Sequence, residues 1–271
     1  MNKFNPTDKP AFCIIAPTAY LDAYSGMSGT HLVLAHLVDT DVAYCNYYAQ
    51  RSKAGDRIIM DNGAFELGQS YDPSKLIDLG KACGAHMLVL PDYPDASMEK
   101  TKAAAEKYAP VFRSCSFQTM YVPHAEIGNW DDWISSYIWA KYNPQIDAIG
   151  MSILNIPNAL PHIDPAFVRV VATAMLGDHF AKNKYHHYLG LNAGPALEIP
   201  SLLRMGVLNS CDSSGPVWAG ICGHEYSQSC DSYQAVKKIK KHVDFAYPMT
   251  KDQATKTRIF NNIILTLGLF K

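Results

Sequence analysis

The stretch RIIMDNGAFELG, Arg57–Gly68, decides the fold, because a short apolar run passes directly into a carboxylate and a small-residue turn. Its first four residues predict the end of a buried strand. Asp61 follows, and the next three residues, Asn-Gly-Ala, form a turn at which another molecule can approach the backbone. Asp61 alone fits a turn former as well as a working group. The pattern recurs at Asp92, in LVLPDYPD, and at Asp212, in VLNSCDSSG. Three carboxylates in equivalent places predict one shared site.

Strand and helix patterns alternate along the chain. Apolar runs predict strands over residues 11–17, 41–49, 57–60, 86–90, 117–122, 147–153, 186–192 and 207–211. Helical spacing and capping residues predict helices over residues 28–38, 72–84, 96–108, 129–143, 165–176 and 196–206. Eight strands alternating with helices in 271 residues predict an α/β fold, a single (β/α)8 TIM-type barrel that spans residues 1–271. A doubly wound open sheet is the alternative, since short buried strands are easily miscounted.

The predicted barrel gives the location of the chemistry. In such barrels the reacting groups lie at the carboxyl ends of the strands. The polar residues that fall there in this prediction are Asp61, Asp92, His124, Asn192 and Asp212.

Composition limits the partners and the compartment. The 24 Lys and Arg residues nearly balance the 25 Asp and Glu residues, so no overall field attracts polyanions, and any nucleic-acid contact must be local. The polar start lacks the order of a secretory signal, and no apolar run approaches the roughly 18 residues that span a bilayer. Seven dispersed cysteines fit reduced thiols better than disulfides. These features predict a soluble, cytoplasmic protein without a membrane partner.

One basic stretch lies in the carboxyl-terminal region, residues 232–271, which is expected to be helical. The segment VKKIKKHVDF places Lys237, Lys238, Lys240 and Lys241 close together, in a pattern suited to phosphate contacts with nucleic acid. A solvated helix face is the alternative interpretation.

A zinc site has weak candidates. Cys222, His224, Cys230 and His242 contain two metal-ligand types, but their spacing matches no standard zinc motif. Buried thiols and surface histidines explain them more simply. The sequence therefore predicts no bound metal or cofactor.

Three segments carry a resemblance to a known family. DNGAF resembles the DSGGF-type motif of tRNA-guanine transglycosylases, and LPDYP resembles the surroundings of their second aspartate. HYLGLNAGPALEIPSLLRMGV resembles the family stretch that leads to the last barrel strand. In order and spacing the three segments cover residues 58–215. The chain is most similar to the compact branch that places 7-deazaguanines in DNA.

The resemblance implies a pentosyltransferase that replaces guanine in nucleic acid with a 7-deazaguanine (preQ0-like) base, which is a queuosine-like DNA modification. It favours DNA over tRNA as the nucleic acid. It also allows a homodimer. It implies that Asp212 is the nucleophile, that Asp61 is the general acid and base, and that Asp92 accepts hydrogen bonds from the base. The remaining substrate contacts would come from Asn62, Gly63, Phe65, His124, Gly150, Met151, Ser152, Leu189 and Gly190.

The chain departs from the family pattern at two strand ends. Counted from Gly206, the family nucleophile would fall on Cys211, and a slip of one residue reverses the face that a strand side chain occupies. The fifth strand ends in VPHAE where the family has Gln-Gly-Gly, so His124 or Gln118 is expected to substitute.

Two other functional classes stay open. The same carboxylates would serve as acid and base in a barrel hydrolase or lyase that acts on a small free metabolite. A catalytically inactive barrel used as a binding module is the other alternative. The one-residue offset between Asp212 and the position of the family nucleophile supports it.

Overall fold

The protein folds as a barrel of eight parallel strands. A computed structural model describes residues 3–94, 96–191, 195–226 and 242–270. The strands are β1 Ala11–Ile14, β2 Thr30–Val33, β3 Arg57–Met60, β4 Met87–Val89, β5 Gln118–Tyr121, β6 Ala148–Gly150, β7 Tyr185–Tyr188 and β8 Ser210–Ser213. They are hydrogen-bonded in the order β1-β8-β7-β6-β5-β4-β3-β2, and every pair is parallel.

The two ends of this sheet meet. Strand β1 pairs with β8, with Cys13 opposite Asp212, and also packs against β2. The predicted (β/α)8 barrel is therefore confirmed, and the open doubly wound sheet is excluded.

The helices lie outside the strands. In the described ranges the α-helices are α1 Leu21–Tyr24, α2 Ala35–Thr40, α3 Val42–Lys53, α4 Ala64–Leu67, α5 Pro73–Cys83, α6 Met98–Ser114, α7 Trp130–Tyr142, α8 Asn155–Ala159, α9 Val168–Leu176, α10 Pro195–Arg204, α11 Gly215–Ile221 and α12 Gln253–Gly268. Within the same ranges, three short 3-10 helices cover Thr18–Tyr20, Ser25–Met27 and Gly177–His179. None of the described helices is long and apolar enough to cross a membrane.

The second strand and the helix after it were assigned to the wrong segments. The sequence predicted a helix over residues 28–38, but four buried residues of that segment form β2. The predicted strand over residues 41–49 is instead part of α3, because the Asp41 side chain accepts the backbone N–H groups of Ala43 and Tyr44 as a helix N-cap. The number of strands was right because the two errors exchanged one strand for another.

The alternation of side chains along β8 shows which of two neighbouring residues, Cys211 or Asp212, faces the interior of the barrel. Neighbouring side chains of a strand point to opposite faces. Asp212 lines a cavity at the top of the barrel, whereas Cys211 is buried on the other face, near Arg169 and Glu198 of the surrounding helices. The carboxylate, and not the thiol, therefore faces the interior of the barrel.

Several residues singled out in the sequence lie outside the described residues: Asn192, Cys230, Lys237, Lys238, Lys240 and Lys241. Of the expected helical region over residues 232–271, the structure describes residues 242–270, which contain α12.

Candidate active site at the carboxyl ends of the strands

A cavity of about 700 Å³ opens at the carboxyl ends of the strands. Its walls combine apolar side chains with four carboxyl groups. The acidic residues that line it are Asp61, Glu66, Asp92 and Asp212; the other polar or ring-bearing residues include His36, Asn62, Phe65, Ser152, Asn155 and His242. No lysine or arginine is among the described residues of this lining.

Asp61 follows β3 directly and is held by the turn after it. Its Oδ2 accepts the N–H of Gly63 at 3.0 Å, and Gly63 has a φ of 80°, a conformation that glycine adopts readily. Burial, and after it the negative charge of Glu66, raise the pKa of Asp61 well above its ordinary value. Asp61 consequently keeps its proton to higher pH than an exposed aspartate.

Asp92 is fixed by groups from two neighbouring strand ends. Asn62 Nδ2 donates to Asp92 Oδ1 at 2.7 Å and to the carbonyl oxygen of Leu90 at 2.7 Å. His124 Nε2 lies 2.5 Å from Asp92 Oδ2. His124 is fully buried behind Asp92, and its Nδ1 has no hydrogen-bond partner among the described residues. Asp92 therefore faces the cavity with both of its oxygens already engaged.

Asp212 has its own pair of hydrogen-bond donors. The backbone N–H of Gly190 donates to Asp212 Oδ1 at 2.8 Å, and His187 Nε2 lies 3.0 Å from the same oxygen. His187 Nδ1 lies 2.6 Å from Ser210 Oγ; when this hydroxyl donates to Nδ1, the ring proton is on Nε2 and faces the carboxylate. Both contacts come from β7 and the residues after it, and they hold the Asp212 carboxyl group in position at the cavity.

A buried ion pair supports the loop that carries Gly190. Arg169, on α9, is 0% exposed, and its guanidinium donates to both carboxylate oxygens of Glu198 at 2.7 Å. The remaining donors reach the carbonyl oxygens of Met151 at 3.0 Å, Leu189 at 2.9 Å and Gly190 at 2.7 Å. Arg169 thus ties the ends of β6 and β7 to α10.

The structure brings most of the predicted site residues together. The ones that line the cavity are Asp61, Asn62, Phe65, Asp92, Ser152, Leu189, Gly190 and Asp212. Gly63 shapes the turn, and His124 supports Asp92 from behind. Gly150 and Met151 are outside the lining: a Cβ on Gly150 would lie 2.9 Å from the side chains of Leu189 and Val122, and Met151 is fully buried. Gln118, the other proposed substitute, bonds the backbone of Phe4 at the amino-terminal end of its strand.

The residues of the site that were not predicted include Glu66, Asn155, His187 and Arg169. Glu66 and His187 lie inside segments that had been singled out, AFELG and HHYLGLN. Alternation would have placed His187 on the same face as Leu189, so its position was available from the strand pattern. Asn155 and Arg169 reach the site through three-dimensional packing that the sequence pattern does not encode.

The weak zinc candidates do not form a recognisable centre in the part of the chain that the structure describes. There, no three His, Cys, Asp or Glu side chains are close enough to hold a metal ion. Cys222 and His224 follow α11, whereas His242 lines the cavity.

Comparison with known proteins places the fold. No family model matches the sequence, and no curated protein matches it. Among solved structures, the chain is similar to a monomeric dihydrodipicolinate synthase variant, with 10% identity, 99% of each chain covered and a TM-score of 0.53. It is also similar to dihydrodipicolinate synthase from Agrobacterium tumefaciens (13% identity, 96% of this chain and 98% of that chain, TM-score 0.49). A third is N-acetylneuraminate lyase from Fusobacterium nucleatum complexed with pyruvate (9% identity, 96% of each chain, TM-score 0.47).

This finding corrects the predicted family. The similar structure with a TM-score above 0.5 is a dihydrodipicolinate synthase variant and not a tRNA-guanine transglycosylase, so the predicted membership is wrong. The activity that the resemblance implied is wrong as well: a pentosyltransferase that exchanges guanine and modifies DNA. The implied partners, nucleic acid and a 7-deazaguanine base, are wrong for the same reason. The physical reason lies in the motifs. DNGAF and LGLN each contain a glycine with positive φ, Gly63 and Gly190, that the chain needs to turn after a barrel strand.

Proposed function

We propose that this barrel is a hydrolase or lyase that acts on a small free metabolite, with Asp61 as general acid and Asp212 as general base. One observation carries the proposal: two aspartates with different surroundings face the same cavity, Asp61 with a pKa that burial raises and Asp212 with hydrogen bonds to Gly190 and His187. Enzymes that need an acid and a base at one pH separate two carboxyl groups in this way.

The environments assign the roles. Asp61 has a raised pKa, caused mainly by burial, and is the group that has a proton to give. Asp212, which the N–H of Gly190 and the His187 ring hold in place, is proposed to take a proton as the general base. Asp92, which His124 and Asn62 hold in place, is proposed to orient the substrate by accepting its hydrogen bonds.

The cavity size supports a small substrate. A volume of about 700 Å³ is within the range of pockets that enclose metabolite-sized ligands. In hydrolysis, Asp212 would remove a proton from water as the water attacks, and Asp61 would protonate the leaving atom. In a lyase reaction, Asp212 would remove a proton from the substrate as a bond breaks, and Asp61 would again protonate the departing group.

The test is metabolite profiling with matched variants. Wild type, Asp61→Asn and Asp212→Asn are each incubated with a fractionated extract of small metabolites, and consumption is followed by mass spectrometry. We expect a compound that wild type consumes and that each variant consumes at least about 100-fold more slowly, as general acid and base groups contribute this much. Asp39→Asn, which removes a carboxylate outside the cavity lining, is the control and should match wild type.

Labelled water separates the two reaction classes. In H₂¹⁸O a hydrolase incorporates one labelled oxygen into a product, and a lyase that breaks the bond without water does not. If wild type consumes nothing, or if Asp212→Asn retains full activity, the proposed acid and base pair is wrong.

A further inference from the structure

A second cavity lies at the opposite end of the barrel. This lower groove, of about 620 Å³, is formed where the chain enters β4 and β5, and its residues are Lys3, Ser52, Gly80, Lys81, Gly84, Ala85, His86, Arg113, Cys115, Ser116, Phe117, Gln118 and Asp147. None of these residues lines the candidate active site.

The charge of the lower groove is positive. Its described lining contains three cationic side chains, Lys3, Lys81 and Arg113, and one carboxylate, Asp147. Arg113 NH1 contacts Asp147 Oδ2 at 2.5 Å, so this pair is internally balanced. The two lysines make no ion pair with any described residue. The groove therefore presents two uncompensated positive charges.

The hydrogen-bond acceptors in the groove are largely engaged. Asp147 Oδ2 also accepts the backbone N–H of Thr119 at 2.9 Å. Gln118 uses its amide oxygen and its amide nitrogen on the backbone of Phe4, at 2.7 and 3.0 Å. The carbonyl oxygen of Gly84 accepts from Ser52 Oγ at 2.7 Å. These acceptors are engaged within the protein, whereas Asp147 Oδ1 makes no hydrogen bond to a described residue.

The donors, in contrast, are available. The backbone N–H of Ile58 donates to His86 Nδ1 at 3.1 Å, which fixes the neutral ring proton on Nε2. Burial lowers the pKa of His86, so the ring is neutral and is a donor through Nε2 alone. Neither this Nε2 nor the Ser116 hydroxyl has a hydrogen-bond partner among the described residues.

Ser116 also has an unusual backbone. Its φ of 71° is the one positive value outside glycine in the described chain. A serine in this conformation is less favourable than glycine, which would end α6 without strain. The position keeps a hydroxyl at the groove at the expense of backbone stability.

We propose that the lower groove binds a phosphate group, either free or carried by a small metabolite, through Lys81, Lys3, His86 and Ser116. A dianion with several acceptor oxygens matches both the two positive charges and the free donors of the groove. The site is separate from the candidate active site and does not depend on the reaction catalysed there.

Two titrations with the full chain test this site. Isothermal titration calorimetry measures the affinity for inorganic phosphate and, in a second arm, for glycerol 3-phosphate, and NMR of the His86 ring locates the binding. We expect saturable binding that shifts the His86 signal, and a loss of roughly tenfold in affinity for Lys81→Ala. Lys182→Ala removes an exposed lysine outside the groove and should bind as wild type does.

Ser116→Gly separates a ligand role from a structural one. Glycine relieves the positive φ, so this variant should melt at a higher temperature than wild type. It also removes the hydroxyl, so it should bind phosphate more weakly. Preferential binding of glycerol 3-phosphate assigns the site to a phosphorylated metabolite, and preferential binding of inorganic phosphate assigns it to the free ion. Absence of saturable binding, or equal losses in Lys81→Ala and Lys182→Ala, would overturn the proposal.

Discussion

At the scale of single residues, the protonation of Asp61 links the candidate chemistry to stability. The folded state keeps the proton on Asp61 at pH values at which the unfolded chain has released it. The folded state then binds more protons than the unfolded state, so the free energy of unfolding falls as the pH rises from about 3.9 through the raised pKa. A neutral residue at this position should avoid that loss.

Asp61→Asn is therefore predicted to be more stable than wild type at neutral pH, with the difference shrinking towards pH 4. Asparagine retains the oxygen that accepts the N–H of Gly63. Urea unfolding of both proteins between pH 4 and 8 measures the effect. Asp22→Asn, at an exposed position, is the control and should show no such trend. A variant that is less stable than wild type throughout this range contradicts the assignment of a protonated Asp61.

Asp212 shows what the sequence could and could not establish at this scale. The apolar run before it predicted a strand that carries Asp212 to the end of the barrel, and Asp212 lies there. The predicted strand ended at Cys211, whereas β8 includes Asp212 as its third residue. The register of β8 against β1 and β7 decides which side chain faces inward, and that register depends on contacts between distant segments.

At the scale of elements, α3 shows why a local pattern misled. Its tyrosines and alanines, taken as a run, resemble a strand, but Tyr44 and Tyr48 are four residues apart and both are buried on one helix face. Asp41 begins the helix, and its Oδ2 also accepts the hydroxyl of Thr18 at 2.7 Å. The capping residue was present in the sequence and outweighs the β propensity of the run.

Asp41→Ala is predicted to lower the free energy of unfolding by about 1 to 2 kcal/mol, because it removes the N-cap of α3. Thermal and urea unfolding measure the loss. Asp41→Asn retains a capping oxygen and should recover most of the stability, whereas an equal loss in both variants would mean that the charge matters more than the cap.

The Arg169 and Glu198 pair joins three elements and should be sensitive to the loss of one partner. Arg169→Met leaves the Glu198 carboxylate buried at 1% exposure without its main counter-ion. We expect a loss of about 3 to 5 kcal/mol in the free energy of unfolding. Urea unfolding measures it. The double variant Arg169→Met, Glu198→Leu removes both charges and should recover a large part of the loss; a double variant no more stable than the single one contradicts this account.

At the scale of the whole molecule, the barrel and its function were predictable to different degrees. Alternation of strand and helix patterns from residue 11 to residue 213 predicted parallel strands and favoured a barrel, and the contact between β1 and β2 in the structure excludes the open sheet. The family resemblance rested on short segments at strand ends, and such segments are also what a barrel needs in order to turn. Asp61, Asp92 and Asp212 were found because the fold gathers strand ends, whichever reaction they serve.

The carboxyl-terminal helix makes the last part of the chain integral to the barrel. Helix α12 packs against α11, which follows β8, and buries Ile259 and Ile263. The contact depends on Gly220: a Cβ there would lie 2.8 Å from the Cα and 2.9 Å from the backbone nitrogen of Ile259. Arg258 NH1 also donates to the carbonyl oxygen of Gly220 at 3.1 Å. Backbone atoms cannot move aside as a flexible side chain can, so a larger residue must separate the helices.

Gly220→Ala is accordingly predicted to lower the free energy of unfolding by about 1 to 3 kcal/mol, the usual range for overpacking a tight interior contact. Gly268→Ala, on α12, is the matched control, because a Cβ at that position meets nothing within 4 Å. The control should be neutral or slightly stabilising, since alanine favours a helix over glycine. Urea unfolding of both variants measures the difference. If Gly220→Ala were as stable as Gly268→Ala, α12 would not be packed closely on the barrel, and its contribution to the fold would have to come from elsewhere.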